Sequence, residues 1–440
     1  MVHRPAERQP DPNRRPRFNR RRLLRAGGVL GAAALLPWSL VPAAQLTPLR
    51  IGVLGPFSGP ASSTGQQIRQ GVLMALDDAQ ADNELPISID GIPHQPEIVW
   101  VDSGSDPDKA VAAVRHAITQ QKVALMVGGW HSAVALAVMD TEVPYHILHL
   151  GNLGEAQAIA DRVRRSPGKY RGWFKGWPAP ARLAARYGEP LRHFIERGLW
   201  RPANKRAAVM VEDSPYGRNW GDALIGSLKA AGFDPLPYDL SAPEQTDFSV
   251  LLQRYKKEQV SLVAMTSTGA ASATRFVQQF RRQGLNALLL SHGLRWTGNW
   301  HQLTGDSSDY VVSMDSAMPI ALWQQWWTLR YRARYQQPPS IAAAGLHYDY
   351  TRMALRIISA TASLDLDSLI QTIYRTPYRG VWNRYRFTDN PALQAAAPNE
   401  VMTGSFMEGF FIPMVQLFGG EAKIIWPPKY IDQRFMPPQG

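Results

Sequence analysis

The chain has 440 residues, 45% of them apolar and 19% charged, with 35 glycines, 34 prolines and no cysteine. A single hydrophobic core stops growing at about 250–300 residues, so at least two cores are expected. The absence of cysteine excludes disulfides, thiol nucleophiles and thiolate metal sites. The formal charge of +12 is uneven: residues 1–44 carry nine arginines against Glu7 and Asp11, more than half of the excess. No later Lys/Arg run is dense enough to form a nucleic-acid track.

Residues 1–44 read as a targeting segment. A basic, proline-rich stretch leads into Asn19-Arg20-Arg21-Arg22-Leu23-Leu24, followed by a weakly apolar, Gly/Ala-rich stretch and then Pro42-Ala43-Ala44. The order is similar to a twin-arginine export signal, with cleavage expected near Ala43 or Ala44 and the folded part in the periplasm. The apolar stretch of about 16 residues is short of the ~20 that span a bilayer. Without a cysteine there is no site for a lipoprotein anchor, and no later run of ~18 apolar residues suggests a membrane helix.

From Leu49 onward, short apolar runs alternate with segments of helical period, the pattern of parallel β-α units. Residues 49–54 (LRIGVL) read as a buried strand, 56–65 as a turn-rich loop and 66–82 as a helix with Ile68, Val72, Ala75, Leu76 and Ala79 on one face. A strand is expected at 97–101. Asp106 and Pro107 then cap a helix whose buried stripe is Ala110, Val114, Ala117 and Ile118. Strands at 124–127 and 145–150 complete a first series.

A second series follows: strands at 206–211, 260–265, 288–290 and 310–313, with helices at 216–231 and 271–283. The pattern then changes to long helices at 320–335 and 341–362 and closing strands at 381–387 and 410–417. Two successive β-α series imply an α/β protein of two doubly wound lobes. In such sheets ligands bind at the carboxyl ends of the strands, where helix N-termini offer free N–H groups. The loops to inspect are therefore 56–65, 128–132, 149–152, 212–217, 266–269 and 291–296.

Several of these segments together resemble the type I periplasmic binding proteins of branched-chain amino acid and amide importers. LRIGVLGPFSGPASSTGQQIRQGVLMALDDAQ is similar to that family's opening strand, turn and helix; VWVDSGSDPDKAVAAVRHAITQQKVALMVGGWHSA to the segment leading to its first ligand loop; and VMVEDSPYGRNWGDAL to its "D-x-x-Y-G" loop. TDFSVLLQRYKKEQVSLVAM, GLHYDYTRMAL and MVQLFGGEAKIIWPP continue the likeness to about Tyr430. The resemblance implies two lobes joined by a hinge of three crossovers. One would comprise residues 45–175 and 315–382, the other 176–314 and 383–427, with 428–440 as a tail.

It also implies a ligand site. Ser132, with Trp130 and His131, and the loop Gly151-Asn152 would hold a carboxylate or amide through hydroxyl and N–H groups; Tyr216 would pack on the ligand from the second lobe. Thr64 stands near the opening loop, and Thr268 on another strand-end loop. The acidic residue that receives an amino acid's ammonium in relatives falls near His292 or Arg295, where this chain departs from the pattern. A buried ammonium needs an anionic or strongly accepting partner, so an ordinary α-amino acid is disfavoured unless Glu212 or Asp213 serves. Trp130, Tyr216 and Trp296 suggest a partly aromatic pocket suited to an amide, a urea-like compound, an aromatic acid or a neutral small molecule.

Other chemistries fit poorly. Gly129-Trp130-His131-Ser132 lacks the nucleophile-elbow pattern, and no glycine-rich stretch has dinucleotide or P-loop spacing, so no enzyme activity and no cofactor are expected. His131, His149 and His292 lie on cleft loops without metal-ligand spacing and read as hydrogen-bonding groups. The aromatic and basic stretch 170–178 sits at a crossover, where its rings would pack a hinge or cleft wall. Trp323, Trp326 and Trp327 have helical spacing and read as core or interface. The expected protein is a monomeric solute-binding component that delivers a small molecule to an inner-membrane permease with ATPase subunits. A sensing module presenting its closed form to a receptor is the alternative.

Overall fold

A computed structural model describes residues 46–314, 318–393 and 397–438. Residues 1–44, expected to be a targeting segment with a twin-arginine signal and cleavage near Ala43 or Ala44, lie outside the described residues. The first series runs β1 (Thr47–Gly55), α1 (Ser62–Ala81), β2 (Ile87–Ile89), β3 (Ile92–Asp102), α2 (Pro107–Thr119), β4 (Leu125–Gly128), α3 (Ser132–Glu142), β5 (Leu148–Asn152), α4 (Gln157–Arg165) and β6 (Trp173–Lys175). Its sheet has the order β2-β3-β1-β4-β5-β6, parallel except for the β2-β3 hairpin. Ile51 and Val53 on one face of β1 and Leu54 on the other are fully buried, as a strand covered on both faces by helices requires.

The second series runs α5 (Pro180–Glu196), β7 (Arg206–Glu212), α6 (Pro215–Ala230), β8 (Asp234–Pro235), β9 (Asp239–Ser241), α7 (Ser249–Lys257), β10 (Leu262–Thr266), α8 (Ala270–Arg282), β11 (Leu288–His292), α9 (Trp300–Thr304) and β12 (Val312–Met314). The chain then returns to the first lobe through α10 (Leu322–Tyr335), α11 (Leu346–Thr361) and α12 (Leu366–Arg375). A two-residue hairpin follows, β13 (Tyr378–Arg379) and β14 (Arg384–Tyr385), before β15 (Met414–Phe418) and β16 (Glu421–Trp426) close the second sheet. That sheet has the order β16-β15-β12-β11-β10-β7-β8, with β9 also paired to β7; β15 and β16 are its antiparallel strands.

Local chemistry explains the element starts. Asp106 accepts a hydrogen bond from Lys109 N–H at 2.9 Å ahead of Pro107, and Ser214 does the same for Gly217 N–H at 3.2 Å ahead of Pro215. Gly71 lets α1 lie directly on the next layer, because a Cβ there would stand 2.0 Å from the Ala344 carbonyl oxygen. Ala344 belongs to a π-helical turn, Ile341–Gly345, that precedes α11 within the expected 341–362 helix.

Three strand expectations shift. Residues 145–150 begin not as strand but as the end of a one-turn helix, and His146 in the left-handed region delays β5 to Leu148. Of residues 381–387, only Arg384 and Tyr385 form strand, as β14. The N–H groups of Val381 and Trp382 donate to the buried Asp349 carboxylate, at 2.7 and 2.8 Å, so those residues form the turn of the β13-β14 hairpin. The strand placed at 410–417 begins only at Met414, and it turns back at Gly419-Gly420, both with positive φ, into β16.

The segment 170–178 supplies edge strand β6 and then leaves the first sheet. There Lys175 pairs in parallel with Glu400, its N–H donating to Asn399 O at 2.8 Å and its carbonyl accepting from Val401 N–H at 3.0 Å. Two crossovers separated by more than 200 residues are thus joined by backbone. Trp327 is buried edge-on against Trp382 at 5.2 Å, whereas Trp323 and Trp326 are exposed. Among the described residues, no helix is long and apolar enough to cross a membrane.

Candidate functional site

Each sheet has a point where neighbouring strands lead their connections in opposite directions, between β1 and β4 in the first and between β7 and β10 in the second. The loops leaving these strands meet across the space between the lobes. An inner cavity, about 310 Å³ with its mouth included, is walled by Trp130, Ser132, Leu153, Glu155 and Trp177 on one side. Tyr216, Thr268 and Trp296 of the second lobe complete it. An outer cavity of about 810 Å³ shares Ser132, Tyr216 and Thr268 and adds His131, Glu212, Glu244 and the Pro60-Ala61 turn.

The first-lobe floor is built on glycine. Gly128 and Gly129 have φ of +84° and +113°, and a Cβ on Gly129 would lie 2.1 Å from the Asn152 amide nitrogen. That close approach lets Asn152 tie two loops together: its Nδ2–H donates to Gly128 O at 3.1 Å and its Oδ1 accepts from Gly154 N–H at 2.9 Å. His149 adds a second tie, bonded to Gly128 O at 2.7 Å and to Glu142 at 2.9 Å. Gly151 packs under the Tyr350 ring. Asn152, His149 and Gly151 thus support the floor rather than line either cavity.

Ser132 opens α3 and lines both cavities, its Oγ accepting from Ala156 N–H at 2.9 Å. This bond sets the loop that carries Glu155. On the second lobe, Thr268 donates from both N–H and Oγ1 to Glu212 Oε2, at 2.7 and 2.6 Å, and Tyr216 shares a short hydrogen bond with Thr266. Burial, followed by the nearby Glu155, raises Tyr216 well above the usual phenol value, so it stays neutral. His131 lines the outer cavity with Nδ1 enclosed and unpartnered, and desolvation lowers its pKa to about 4.

The aromatic wall is continuous. Trp296 stands edge-to-face with Trp130 at 5.3 Å and lies 6.1 Å from Tyr216. Behind it, His292 contacts Trp296 at 5.0 Å and Trp220 at 4.3 Å. Glu155, only 5% exposed, accepts from Trp220 Nε1–H at 2.5 Å and faces His292 Nε2 at 3.3 Å. Deeper, Lys175 lies 3.6 Å from Glu400, which Arg182 also approaches at 3.7 Å; burial lowers the Lys175 pKa, with Glu400 and Glu155 opposing.

Of the ten residues singled out by sequence, Trp130, Ser132, Tyr216 and Thr268 line the inner cavity and His131 the outer one. His292 sits one layer behind. Thr64 is buried in the first turn of α1 and lines neither cavity. Arg295 lines a separate depression beside Trp300, His301 and Arg332, because the one-turn helix Leu294–Thr297 sends Trp296 into the cleft and its neighbour elsewhere. Sequence reasoning missed Glu155 altogether and took Trp177 only as hinge or cleft-wall packing. The carboxylate sought near His292 is present, supplied by a different loop. Among the described residues, no three His, Asp or Glu side chains are grouped to hold a metal.

A family model described as periplasmic binding protein matches residues 48–403. Among curated relatives, a Leu/Ile/Val-binding protein from Rhizobium johnstonii is 25% identical over 219 residues, 49% of this chain and 53% of the relative. The chain therefore spans about half the length of that relative. The leucine-binding protein LivK of Thermotoga maritima superposes with a TM-score of 0.68 at 16% identity, covering 86% of this chain and 97% of the other. An ABC transporter solute-binding protein of Rhodopseudomonas palustris, solved with 3,4-dihydroxybenzoic acid, gives 0.69 at 16% identity, covering 85% and 95%. At such identities the structural likeness is one of fold.

Proposed function

The chain belongs to the periplasmic binding protein family, and on that premise we propose that it is the substrate-binding component of an ATP-driven importer, closing two lobes around one small organic solute. The observation that carries this reading is the inner cavity itself, lined by side chains from strand-end loops of both sheets. Ligand would settle first on the Trp130, Ser132 and Glu155 side and then be covered by Tyr216, Thr268 and Trp296. Closure is favoured only by the contacts the ligand gains in the closed form.

The closing bodies are taken as residues 45–175 with 315–382 and residues 176–314 with 383–427, and the closed form would dock on a membrane permease with ATPase subunits. Residues 1–44 would direct export by the twin-arginine route, with cleavage near Ala43 or Ala44; the N-terminal sequence of the protein recovered from periplasm tests this. Relatives named for leucine, isoleucine and valine, and a neighbour holding a dihydroxybenzoate, bring amino acids and aromatic acids into the candidate set. The test is a thermal-shift panel of branched-chain amino acids, amides, urea and aromatic acids on the mature protein. A solute at 100 times its dissociation constant stabilises the fold by about 2.7 kcal/mol. If none shifts the melt, this set of solutes is wrong; if a Ser132→Ala, Tyr216→Ala double variant keeps full affinity, the site is wrong.

A further inference from the structure

We propose, resting on the solute-binding reading above, that the inner cavity is built for a solute that carries an alkylated ammonium and an acceptor oxygen and is neutral overall. Trp130, Trp177, Trp296 and Tyr216 supply four aromatic rings around a space that also holds one carboxylate, Glu155. Ring faces attract a cation through the negative face of the π system, and a desolvated cavity strengthens that attraction.

Hydrogen-bond supply separates an alkylated from a primary ammonium. A primary ammonium brings three N–H donors, each needing an acceptor once buried. Each of the nearest acceptors already holds one hydrogen bond, so a primary ammonium would have to share them. Glu155 Oε2 accepts from Trp220 at 2.5 Å and Oε1 faces His292 at 3.3 Å. Ser132 Oγ accepts from Ala156 N–H at 2.9 Å, and the Tyr216 hydroxyl is paired with Thr266. A trialkylammonium has no N–H to satisfy and needs only nearby negative charge and polarizable surface, which this wall provides.

Charge complementarity selects the rest of the solute. Both signs of charge stand beside the cavity: the carboxylates Glu155, Glu212 and Glu400, and the cations Lys175 and Arg182. A solute carrying both charges answers both, whereas a singly charged one leaves one sign unanswered in a water-poor site. The Trp177 indole N–H is enclosed and without a hydrogen-bond partner, a donor suited to the acceptor oxygen of such a solute.

Calorimetric titration of the mature protein with glycine and its N-methyl, N,N-dimethyl and N,N,N-trimethyl derivatives tests this, run beside leucine, benzoate and choline. Affinity is expected to rise with each methyl, by at least about 10-fold from glycine to the trimethyl form, with choline and benzoate weaker. Glu155→Gln, which still offers Trp220 an acceptor, and Trp296→Leu are each expected to weaken trimethylglycine at least about 10-fold. Circular dichroism monitors folding, and Trp130→Phe replaces Trp296→Leu should the latter unfold. Equal or falling affinity along the series, tighter leucine or benzoate, or variants that bind trimethylglycine unchanged would overturn the proposal while leaving solute binding intact. Binding of nothing in this panel or the wider one above would overturn both.

Discussion

Asp349 offers a direct test of whether burial or hydrogen bonding sets the charge of a core carboxyl. It is fully buried on α11 and accepts from Val381 N–H, Trp382 N–H and the Tyr385 hydroxyl at 2.7 to 2.8 Å. Those bonds favour the ionised form, and burial opposes it and wins, raising the pKa from 3.8 to about 6. The folded state then binds this proton more tightly than the unfolded chain. The stability it contributes is fully present below about pH 4 and is lost as pH rises to about 6. A rise of roughly two pH units, at about 1.36 kcal/mol each, amounts to ~3 kcal/mol. Asp349→Asn keeps the shape and removes the titration, but its NH2 group faces donors that the carboxyl accepted from, at a cost independent of pH. The wild type should therefore lose stability relative to the variant between pH 4 and pH 7, by up to ~3 kcal/mol. Urea midpoints of both proteins at half-unit steps from pH 4 to 7.5 measure the difference, in which all other titrating groups cancel. A wild-type advantage that stays constant or grows from pH 4 to 7 would refute the reasoning, because the hydrogen bonds to the ionised carboxylate would then outweigh its burial.

His347 should act in the opposite direction over an overlapping window. Its ring is fully buried with Nε2 unpartnered, and desolvation lowers the pKa from 6.5 to about 4, so the unfolded chain takes the proton first and stability falls as pH drops from about 6.5 to 4. The loss is worth ~3 kcal/mol, and His347→Leu should flatten the urea-midpoint profile over that range; an unchanged slope would show that the ring is protonated when folded. Gly71→Ala, with its Cβ 2.0 Å from a backbone oxygen, should cost about 3 kcal/mol despite the better helix former. Gly226→Ala, exposed in α6 with nothing within 4 Å, should gain up to about 1 kcal/mol, and equal melting shifts for the pair would contradict the packing account. Asp106→Ala, removing the cap of α2, should lower stability by about 1 kcal/mol in thermal melts.

What the chain determines by itself is local. Apolar runs such as 49–54 and 206–211, short and followed by turn signals, read as buried strands, Asp106-Pro107 and Ser214-Pro215 start helices, and strand-end loops bearing Ser132, Tyr216 and Thr268 follow from the β-α order. Each of these depends on a residue and its neighbours within about one turn or one strand. The inner cavity depends on more. Glu155 and Trp177 lie in segments with no distinguishing period, and Arg295 and Trp296 are adjacent in sequence but face different cavities. Their roles are decided by the Asn152 and Ser132 hydrogen bonds that set one loop and by the pairing of Lys175 with Glu400. A contact between residues so far apart in the chain leaves no periodicity to read. Only the folded backbone brings a carboxylate, Glu155, into an aromatic wall beside His292.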